Sequence, residues 1–451
     1  MKKTVFILAA ILFAVGCASG INPLEEGAIV YVPQSERQEH ELVFWHSMTA
    51  HNGVVLNELV QEFNETVGAE LGITVNAVFQ GSYADSSAQL RALLHTGNTA
   101  ELPDISQIDA TGMLDIKDSE YLARAGLFAA LDPNFELGNI NSAMLNNITY
   151  MGHLLGMPFS QSTRLLFYNR DMLREAGFYS PPSSLTEMAE ILPLVSLPGQ
   201  VYGFALSPAT PDVQNWVGQQ NGHSFMVDNQ NGRGGDPTKV VFDGEGTMQA
   251  FLSQWLKLHE TGGLRHIEGN TLEEFVAGRV AMMVASSSHI AAAENAIDGR
   301  FELGTAFFPR VHEGASYGST IGGSSLFMFN KGELERMWAA WEVLKFLSSP
   351  SVQARWSMDT GYLAANYVSL QDKGFQFFLE ENPNFAVAMR QLEASDPNLL
   401  GIWVPSSFQF FMGLRDGIIS MIEDGRTAEE TVGRLADSLN RILDDFHEMN
   451  R

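Results

Sequence analysis

The chain has almost no thiols, because Cys17 is the only cysteine among 451 residues. A disulfide within the chain is therefore excluded, and a chain of this length can be stabilised by core burial instead. Positive charge is also scarce: 27 Lys and Arg residues against 53 Asp and Glu residues give a formal net charge of -26. Such an acidic surface repels phosphate backbones and anionic headgroups, which argues against nucleic acid as a partner and against electrostatic attachment to a membrane.

Several signatures of catalysis and metal binding are missing as well. The sequence contains no H-E-x-x-H zinc motif, no P-loop and no dinucleotide fingerprint, and its eleven histidines are dispersed. Residues 226–246 are rich in Gly, Asn and Asp, but Asp228, Gln230 and Gly232 break the ligand register of a calcium loop. We therefore expect no metal and no cofactor, and these absences favour a binding protein over an enzyme.

The N-terminus carries the features of an export signal. Lys2 and Lys3 precede the apolar run 5–15, and Gly16 stands directly before Cys17. The ending AVGC resembles a lipobox, at which a bacterial cell acylates the cysteine, so residues 1–16 are predicted to be a signal peptide and Cys17 the lipid anchor. The alternatives are a signal cleaved elsewhere and a membrane span, for which the apolar run is too short. Residues 17–40 lack an apolar period and are predicted to form a tether.

The remaining chain alternates between strand and helix patterns. Residues 42–45 (LVFW) predict a buried strand, and apolar residues at helical spacing follow as far as Phe63. A second strand is predicted over 73–79, and a short helix over 86–95 that Gly97 ends. This rhythm predicts an α/β fold.

Four polar segments lie beside predicted strands or helix starts. Hydroxyls and exposed backbone N–H groups at such places bind sugars, polyols or phosphates. Each segment alone is also typical of a turn or a helix cap. The four segments are 80–83 (QGSY), 160–163 (SQST), 286–288 (SSS) and 322–325 (GGSS).

Motifs in a fixed order give the chain a family resemblance. It resembles the extracellular solute-binding proteins (family 1) of ABC importers, and within them the branch that binds glycerol-3-phosphate and glycerophosphodiesters. The resemblance implies two α/β lobes joined by a hinge, a ligand cleft between them, and a membrane permease that reads their closure. The motifs are 44–48 (FWHSM), 157–160 (MPFS), 166–170 (LFYNR), 176–178 (AGF), 321–326 (IGGSSL) and 360–363 (TGYL).

The resemblance also implies where the lobes divide and which residues touch the ligand. The first lobe is expected at 41–156 and 312–358, and the second at 157–311 and 359–451. Tyr83, Ser162, Ser286, Gly323 and Tyr362 are the ligand contacts that the motifs imply. Each has an ordinary structural alternative: packing for the tyrosines, capping for the serines, and a strand bulge for the glycine.

The chain departs from the branch at an acidic position. The branch carries an acidic residue after a Pro-x-Ile-x-Gln run, where it binds the glycerol hydroxyls. Aligned on 103–107 (PDISQ), that position is Ala110 in this chain, and Asp109 stands one place earlier. Asp109 is the candidate substitute.

A second departure concerns the arginine that neutralises the ligand's phosphate. Its position near the C-terminus is taken by Phe411 or Met412, so the candidates for the missing charge are Arg415, a helical turn further on, and Arg164. A larger head group such as choline, or a neutral sugar, would suit the aromatic residues of this region. These residues are Trp403, Phe408, Phe410 and Phe411.

The sequence thus predicts a lipid-anchored, monomeric, non-catalytic receptor that delivers a small ligand to an ABC permease. The expected ligand is a glycerophosphodiester or glycerol-3-phosphate, with a sugar or oligosaccharide as the alternative within the family. A secreted hydrolase of glycans or phosphodiesters and a surface lipoprotein that has lost transport are the alternatives of another class.

Overall fold

The computed structural model describes residues 29–33, 38–110, 112–206, 212–221, 225–267 and 271–449. The predicted signal peptide and Cys17 lie outside these residues. The strands are β1 (His40–His46), β2 (Ile73–Phe79), β3 (Ile105–Asp109), β4 (Leu122–Ala123), β5 (Thr149–Tyr150), β6 (His153–Leu154), β7 (Met157–Ser162), β8 (Arg164–Asn169), β9 (Tyr202–Leu206), β10 (Leu264–His266), β11 (Val280–Ser286), β12 (Leu303–Phe307) and β13 (Gly322–Phe329).

The helices lie between these strands and after the last of them. They are α1 (Ala50–Glu65), α2 (Val67–Leu71), α3 (Tyr83–Thr96), α4 (Met113–Ile116), α5 (Ala125–Leu131), α6 (Ser142–Asn147), α7 (Arg170–Glu175), α8 (Leu185–Val195), α9 (Asp212–Gly218), α10 (Asp228–Gly232), α11 (Phe242–Glu245), α12 (Thr247–Glu260), α13 (Thr271–Val276), α14 (Ile290–Ile297), α15 (Leu334–Leu347), α16 (Pro350–Thr360), α17 (Lys373–Glu381), α18 (Pro383–Ala394), α19 (Ser407–Glu423) and α20 (Ala428–Met449). Within the described residues, short 3-10 helices lie at Leu137–Asn139, Ser287–His289 and Tyr367–Gln371.

The first sheet has the strand order β2-β1-β3-β13-β4, and β7 also pairs with β13. β1 runs parallel to β2 and β3, whereas β13 runs antiparallel to β3, β4 and β7. Parallel neighbours need a crossover, which α1 and α2 supply between β1 and β2. The apolar run of β1 fits a strand buried in the middle of such a sheet, and Phe44 is fully buried there.

The second sheet has the order β10-β9-β11-β8-β12. β9 is parallel to β10 and β11, and β8 is antiparallel to β11 and β12. Its core contains the stacked, fully buried rings of Trp216 and Phe251, 5.3 Å apart. Buried side chains of α8, α12, α19 and α20 complete this core.

Two sheets with their own covering helices make two lobes, so the two-lobed α/β fold is confirmed. The chain passes from the first sheet to the second at Thr163, between β7 and β8, and returns between β12 and β13. β7 therefore pairs within the first sheet, although the predicted boundary assigned residues from 157 onward to the second lobe. The side-chain hydroxyl of Thr163 lies 2.8 Å from Ser319 Oγ, so the two passages lie side by side.

Local structure follows the sequence closely, with one difference. Ser82 and Asp85 cap α3 reciprocally, and Gly97 ends it with a φ of 65°. Pro350 stands in the first turn of α16, where its missing N–H costs nothing. Part of the segment predicted as a tether packs against the first lobe: Trp338 Nε1 donates to the carbonyl of Val30 at 2.9 Å.

Candidate functional site

A cavity of about 320 Å³ lies between the two lobes. We call it the inner cavity. The first lobe contributes Ser162 from β7 and Gly322 from β13, and the second contributes Arg164 from β8 and Phe411 from α19. The complete lining is Ala110, Leu114, Asn147, Ser162, Thr163, Arg164, Gln214, Asn215, Arg233, Thr320, Ile321, Gly322, Gly401, Ile402, Trp403, Ser407 and Phe411.

The pairing of β7 with β13 builds one wall of the inner cavity. Ser162 is paired with Gly322, and Gln161 with Gly323. Gly323 has a φ of +98°, and a Cβ atom there would lie 1.9 Å from the carbonyl oxygen of Ser160. Only glycine fits this approach of two backbones, so the strand-bulge explanation of Gly323 has direct support. The ligand contact implied for Gly323 stays a prediction.

A second group of predicted residues meets beside this wall. Tyr83 starts α3, and its hydroxyl lies 3.0 Å from Ser324 Oγ on β13. Ser324 is paired with Asp109 at the end of β3. Burial raises the pKa of Tyr83, with further contributions from the neighbouring Tyr362 and Asp109. Tyr83, Ser324, Asp109 and Tyr362 therefore form one polar cluster, which we call the tyrosine cluster. The hydroxyls of the two tyrosines stay protonated at neutral pH.

Tyr362 is also part of a packed aromatic stack. Its ring lies 5.8 Å from that of Trp356 with the planes parallel, and Trp356 stacks in turn on Phe159 at 4.6 Å. Burial raises the pKa of Tyr362. The ring of Tyr362 thus packs in the aromatic stack, while its hydroxyl belongs to the tyrosine cluster.

Ser286 lies at the end of β11, opposite Arg164 on β8. Its Oγ accepts from the backbone N–H of Ser288 at 3.3 Å and lies 2.9 Å from the hydroxyl of that residue. These contacts match the capping alternative. The pKa of the nearby His289 is lowered by burial and by the charge of Arg164, which favours its neutral form. Ser286 and His289 are not among the described residues that line the inner cavity.

The two arginines proposed to replace the missing phosphate partner have different surroundings. Nε and Nη2 of Arg164 donate to the two carboxylate oxygens of Asp212 at 2.6 and 2.7 Å. Arg164 lines the inner cavity, but its charge is already compensated. Arg415 lies on α19 with its Nη1 3.7 Å from Asp416, and it is not among the described residues that line the cavity.

Both positions at which the sequence departs from the branch lie in this cavity. Ala110, which follows Asp109, and Phe411 are lining residues. The cavity therefore lacks the carboxylate and the guanidinium that the resemblance led us to seek at these two positions, and Phe411 provides an apolar surface instead.

Several polar lining residues were not predicted from the sequence, and Arg233 is the charged one among them. Arg233 is 4% exposed, and its guanidinium lies 4.5 Å from the ring centroid of Trp403. It belongs to the Gly-, Asn- and Asp-rich segment 226–246, a composition typical of a turn-rich loop. Asn229, Gln230 and Asn231 there have φ between 53° and 57°, so α10 is a left-handed turn. The sequence carried only a weak signal for it, since Arg233 is one of two basic residues in this segment, with Lys239.

A wider outer cavity of about 500 Å³ adjoins the inner one, because Leu114 and Ser407 line both. Phe408, 73% exposed, is its most exposed aromatic residue. Three carboxylates and two cations line it, so its formal charge is negative. These charged residues are Asp115, Asp118, Asp236, Arg91 and Lys117.

Within the described ranges, no group of three or more His, Cys, Asp and Glu side chains is placed to hold a metal ion. In the same part of the chain, no helix combines the length and the apolar character needed to cross a bilayer.

Comparison with known proteins gives consistent matches. The model of the family "bacterial extracellular solute-binding protein" matches residues 58–387. A curated relative is the sn-glycerol-3-phosphate-binding periplasmic protein UgpB of Yersinia enterocolitica, 26% identical over 367 residues that cover 79% of this chain and 81% of the relative.

Solved structures show the same fold. The sugar-binding protein MalE of Xanthomonas citri superposes with a TM-score of 0.74 at 21% identity, covering 91% of this chain and 99% of MalE. UgpB of Mycobacterium tuberculosis in complex with glycerophosphocholine superposes with a TM-score of 0.70 at 21% identity, covering 90% of this chain and 99% of UgpB.

Proposed function

The chain belongs to the bacterial extracellular solute-binding proteins, and we propose that it is the receptor of an ABC importer for a glycerophosphodiester or glycerol-3-phosphate. The observation that carries this proposal is the inner cavity, which takes its lining from both lobes and, among the described residues, contains two arginines and no Asp or Glu. A ligand held there contacts both lobes at once, so its binding favours the closed arrangement. A permease would read that closed surface.

The adjoining outer cavity favours a phosphodiester over a phosphomonoester. A diester carries a substituent on each side of its phosphate, and the two adjoining cavities offer room for both. Asp115, Asp118 and Asp236 in the outer cavity outnumber its cations. A cationic substituent such as choline would fit there, with the Phe408 ring as an additional contact.

A sugar remains the second candidate within the family. The tyrosine cluster and Phe411 offer the hydroxyls and the apolar ring face that sugars use. MalE of Xanthomonas citri, which shares the fold, is a sugar-binding protein. A maltose titration therefore belongs in any ligand screen.

The hydrolase alternative has one sequence match to test. Residues 314–318 (GASYG) follow the spacing of a nucleophile elbow. That elbow requires a strand-to-helix turn, whereas Ser316 lies in the connection between β12 and β13. The local structure therefore gives no support to Ser316 as a nucleophile.

We further propose that the receptor is exported and held to the membrane by acylated Cys17, and that it acts as a monomer. The basic start, the apolar run 5–15 and Gly16 support the export signal. An acyl chain would keep the receptor near its permease without a membrane-spanning helix.

Isothermal titration with glycerophosphocholine, sn-glycerol-3-phosphate and maltose tests the proposal. We expect stoichiometric binding of a phosphorylated ligand that is recovered unchanged after prolonged incubation. Binding of maltose alone would establish the sugar alternative, and release of a hydrolysis product would establish the enzyme. A protein that binds none of the three would contradict the proposed ligand class.

A further inference from the structure

The inner cavity contains a buried charge that the described residues do not neutralise. Arg233 is 4% exposed, and in the part of the chain that the structure describes no carboxylate lies within ion-pair distance of it. The other lining cation, Arg164, is paired with Asp212. Burying an uncompensated charge is costly, so an isolated guanidinium in a cavity wall is expected to have a counter-charge in the working complex.

The hydrogen-bond arrangement of Arg233 leaves one donor unused. Its Nη1 donates to the carbonyls of Asn231 and Gly401, and its Nη2 to the carbonyl and side-chain oxygens of Asn147. These contacts take four of the five N–H groups of a guanidinium. Nε is buried and without a partner among the described residues. The side chain is therefore fixed in place and still has a donor and its charge to offer.

Two further buried donors in the lining have no hydrogen-bond partner among the described residues. Asn215 Oδ1 accepts from the backbone N–H of Thr320 at 2.9 Å, which fixes the amide, and its Nδ2 is one of the two. Trp403 Nε1 is the other, and both residues are 1% exposed. Within the described part of the chain, the buried side-chain atoms of the lining that lack a partner are thus donors. An excess of donors around a net positive charge matches a ligand group that only accepts, whereas a sugar hydroxyl both donates and accepts.

We propose that the inner cavity is an anion site in which Arg233 supplies the charge and Arg233 and Asn215 supply hydrogen-bond donors to a phosphate ester. This deepens the proposed function and rests on it. Phe411 stands where the branch carries its arginine, so the cation reaches the same cavity from the segment 226–246. Trp403, over which the guanidinium lies, holds the cation against this wall.

A purely structural role for Arg233 is the competing explanation. The guanidinium of Arg233 donates to Asn147 of the first lobe and to Gly401 of the second. The backbone carbonyl of Arg233 also accepts from the N–H of Met151, in the β5–β6 hairpin of the first lobe, at 2.6 Å. Arg233 therefore joins the two lobes. A residue with that role alone would lower stability when replaced, but ligand affinity would not depend on whether the replacement carries a positive charge. The charge of the side chain at position 233 is therefore the variable that separates the two explanations.

The test compares Arg233→Met with Arg310→Met by isothermal titration. Arg310 is a matched control because its guanidinium lies 4.3 Å from the Tyr317 ring and its Nε is likewise buried and unpaired, yet it does not line the inner cavity. We expect Arg233→Met to weaken glycerophosphocholine binding at least a hundredfold, Arg233→Lys to retain part of the affinity, and Arg310→Met to leave the affinity unchanged. Inorganic phosphate should compete with glycerophosphocholine on the wild-type protein.

Each other outcome is decisive. If the wild-type protein binds glycerophosphocholine and Arg233→Met binds it with the same affinity, the anion site is overturned and the proposed function is left intact. Wild-type binding of maltose alone would overturn the proposed ligand class and the anion site with it. If Arg233→Met does not fold, Asn215→Asp decides: it places a carboxylate in the lining and should weaken the same ligand at least tenfold, and unchanged affinity would overturn the proposal.

Discussion

Arg164 and Asp212 form a two-point ion pair, in which Nε and Nη2 donate to the two carboxylate oxygens at 2.6 and 2.7 Å. The carboxylate is fully buried and the guanidinium is one quarter exposed. The pair joins β8, the first strand after the crossing between lobes, to the start of α9. The ion pair therefore fixes one wall of the inner cavity. It also neutralises Arg164, which the sequence analysis named as a candidate phosphate partner.

Asp212→Asn should destabilise the protein by about 3 kcal/mol, because it leaves a largely buried guanidinium without its counter-charge. The free energy of unfolding from denaturant titration measures this loss. Glu58→Gln is the matched control, since Glu58 pairs with Arg355 at the surface and is 53% exposed. That change should cost less than about 1 kcal/mol. Equal losses in the two variants would contradict the role assigned to the Arg164–Asp212 pair.

The sequence predicted local structure well because local structure depends on neighbouring residues. The apolar run of β1, the reciprocal Ser82–Asp85 cap and the Gly97 stop are all set within a few residues. The family motifs predicted the two lobes for a different reason, since ordered motifs carry information on the whole fold. The sequence did not indicate that β7 belongs to the first lobe, because the pairing of β7 with β13 joins residues some 160 positions apart.

The candidate site shows the same limit. Arg164 is a conspicuous cation in the sequence, but its ion-pair partner Asp212 lies 48 positions away. No pattern in the residues between them predicts the ion pair. Arg233 lies in a Gly- and Asn-rich segment, where composition suggests a solvated turn. Its burial depends on Trp403 and Gly401, which reach it only in the folded chain.

Gly323→Ala should destabilise the protein by at least about 2 kcal/mol. The φ of +98° disfavours any side chain, and the new Cβ atom would lie 1.9 Å from the Ser160 carbonyl oxygen. Gly361→Ala is the control, because its φ of +77° is similar but nothing lies within 4 Å of the added Cβ atom. It should cost about 1 kcal/mol. Thermal unfolding of both variants gives the comparison, and equal costs would show that the strand contact at Gly323 relaxes.

Tyr83→Phe should weaken ligand binding about tenfold while the fold persists. The change removes the hydroxyl that lies 3.0 Å from Ser324 Oγ, and a hydrogen bond of this kind contributes about 1 kcal/mol to stability. Tyr179→Phe, at a residue 85% exposed, is the control for the loss of a tyrosine hydroxyl. Titration calorimetry and the unfolding midpoint separate the two effects. Wild-type affinity in Tyr83→Phe would remove Tyr83 from the ligand site.

Cys17→Ser should release the protein from the membrane. A serine cannot form the thioether of an acyl anchor, so the variant should appear in the soluble fraction of a cell lysate, whereas the wild-type chain should sediment with membranes. Metabolic labelling with a fatty acid should mark the wild-type chain and leave the variant unlabelled. Unlabelled wild-type protein would instead favour a signal cleaved elsewhere.

The pH dependence of binding follows from the burial of Arg233. Burial lowers the pKa of this guanidinium to about 9. An anionic ligand binds the protonated form and so raises that pKa, which means that affinity is complete below pH 9 and is lost as the pH rises through it. Glycerophosphocholine is the suitable probe, because the charge of a phosphodiester does not change in this range.

We therefore expect the dissociation constant of glycerophosphocholine to be constant from pH 7 to 8 and about tenfold higher at pH 10. The pKa values of Tyr83 and Tyr362 are raised by burial, and that of Lys117 is raised because hydrogen bonds to Asp118, Tyr150 and Asp236 outweigh its burial. Each of these shifts favours the protonated form of its group, whereas the shift of Arg233 favours loss of its proton, so we assign the expected change to Arg233. Circular dichroism at each pH verifies the fold, and an affinity that stays constant to pH 10 would contradict Arg233 as the source of the positive charge.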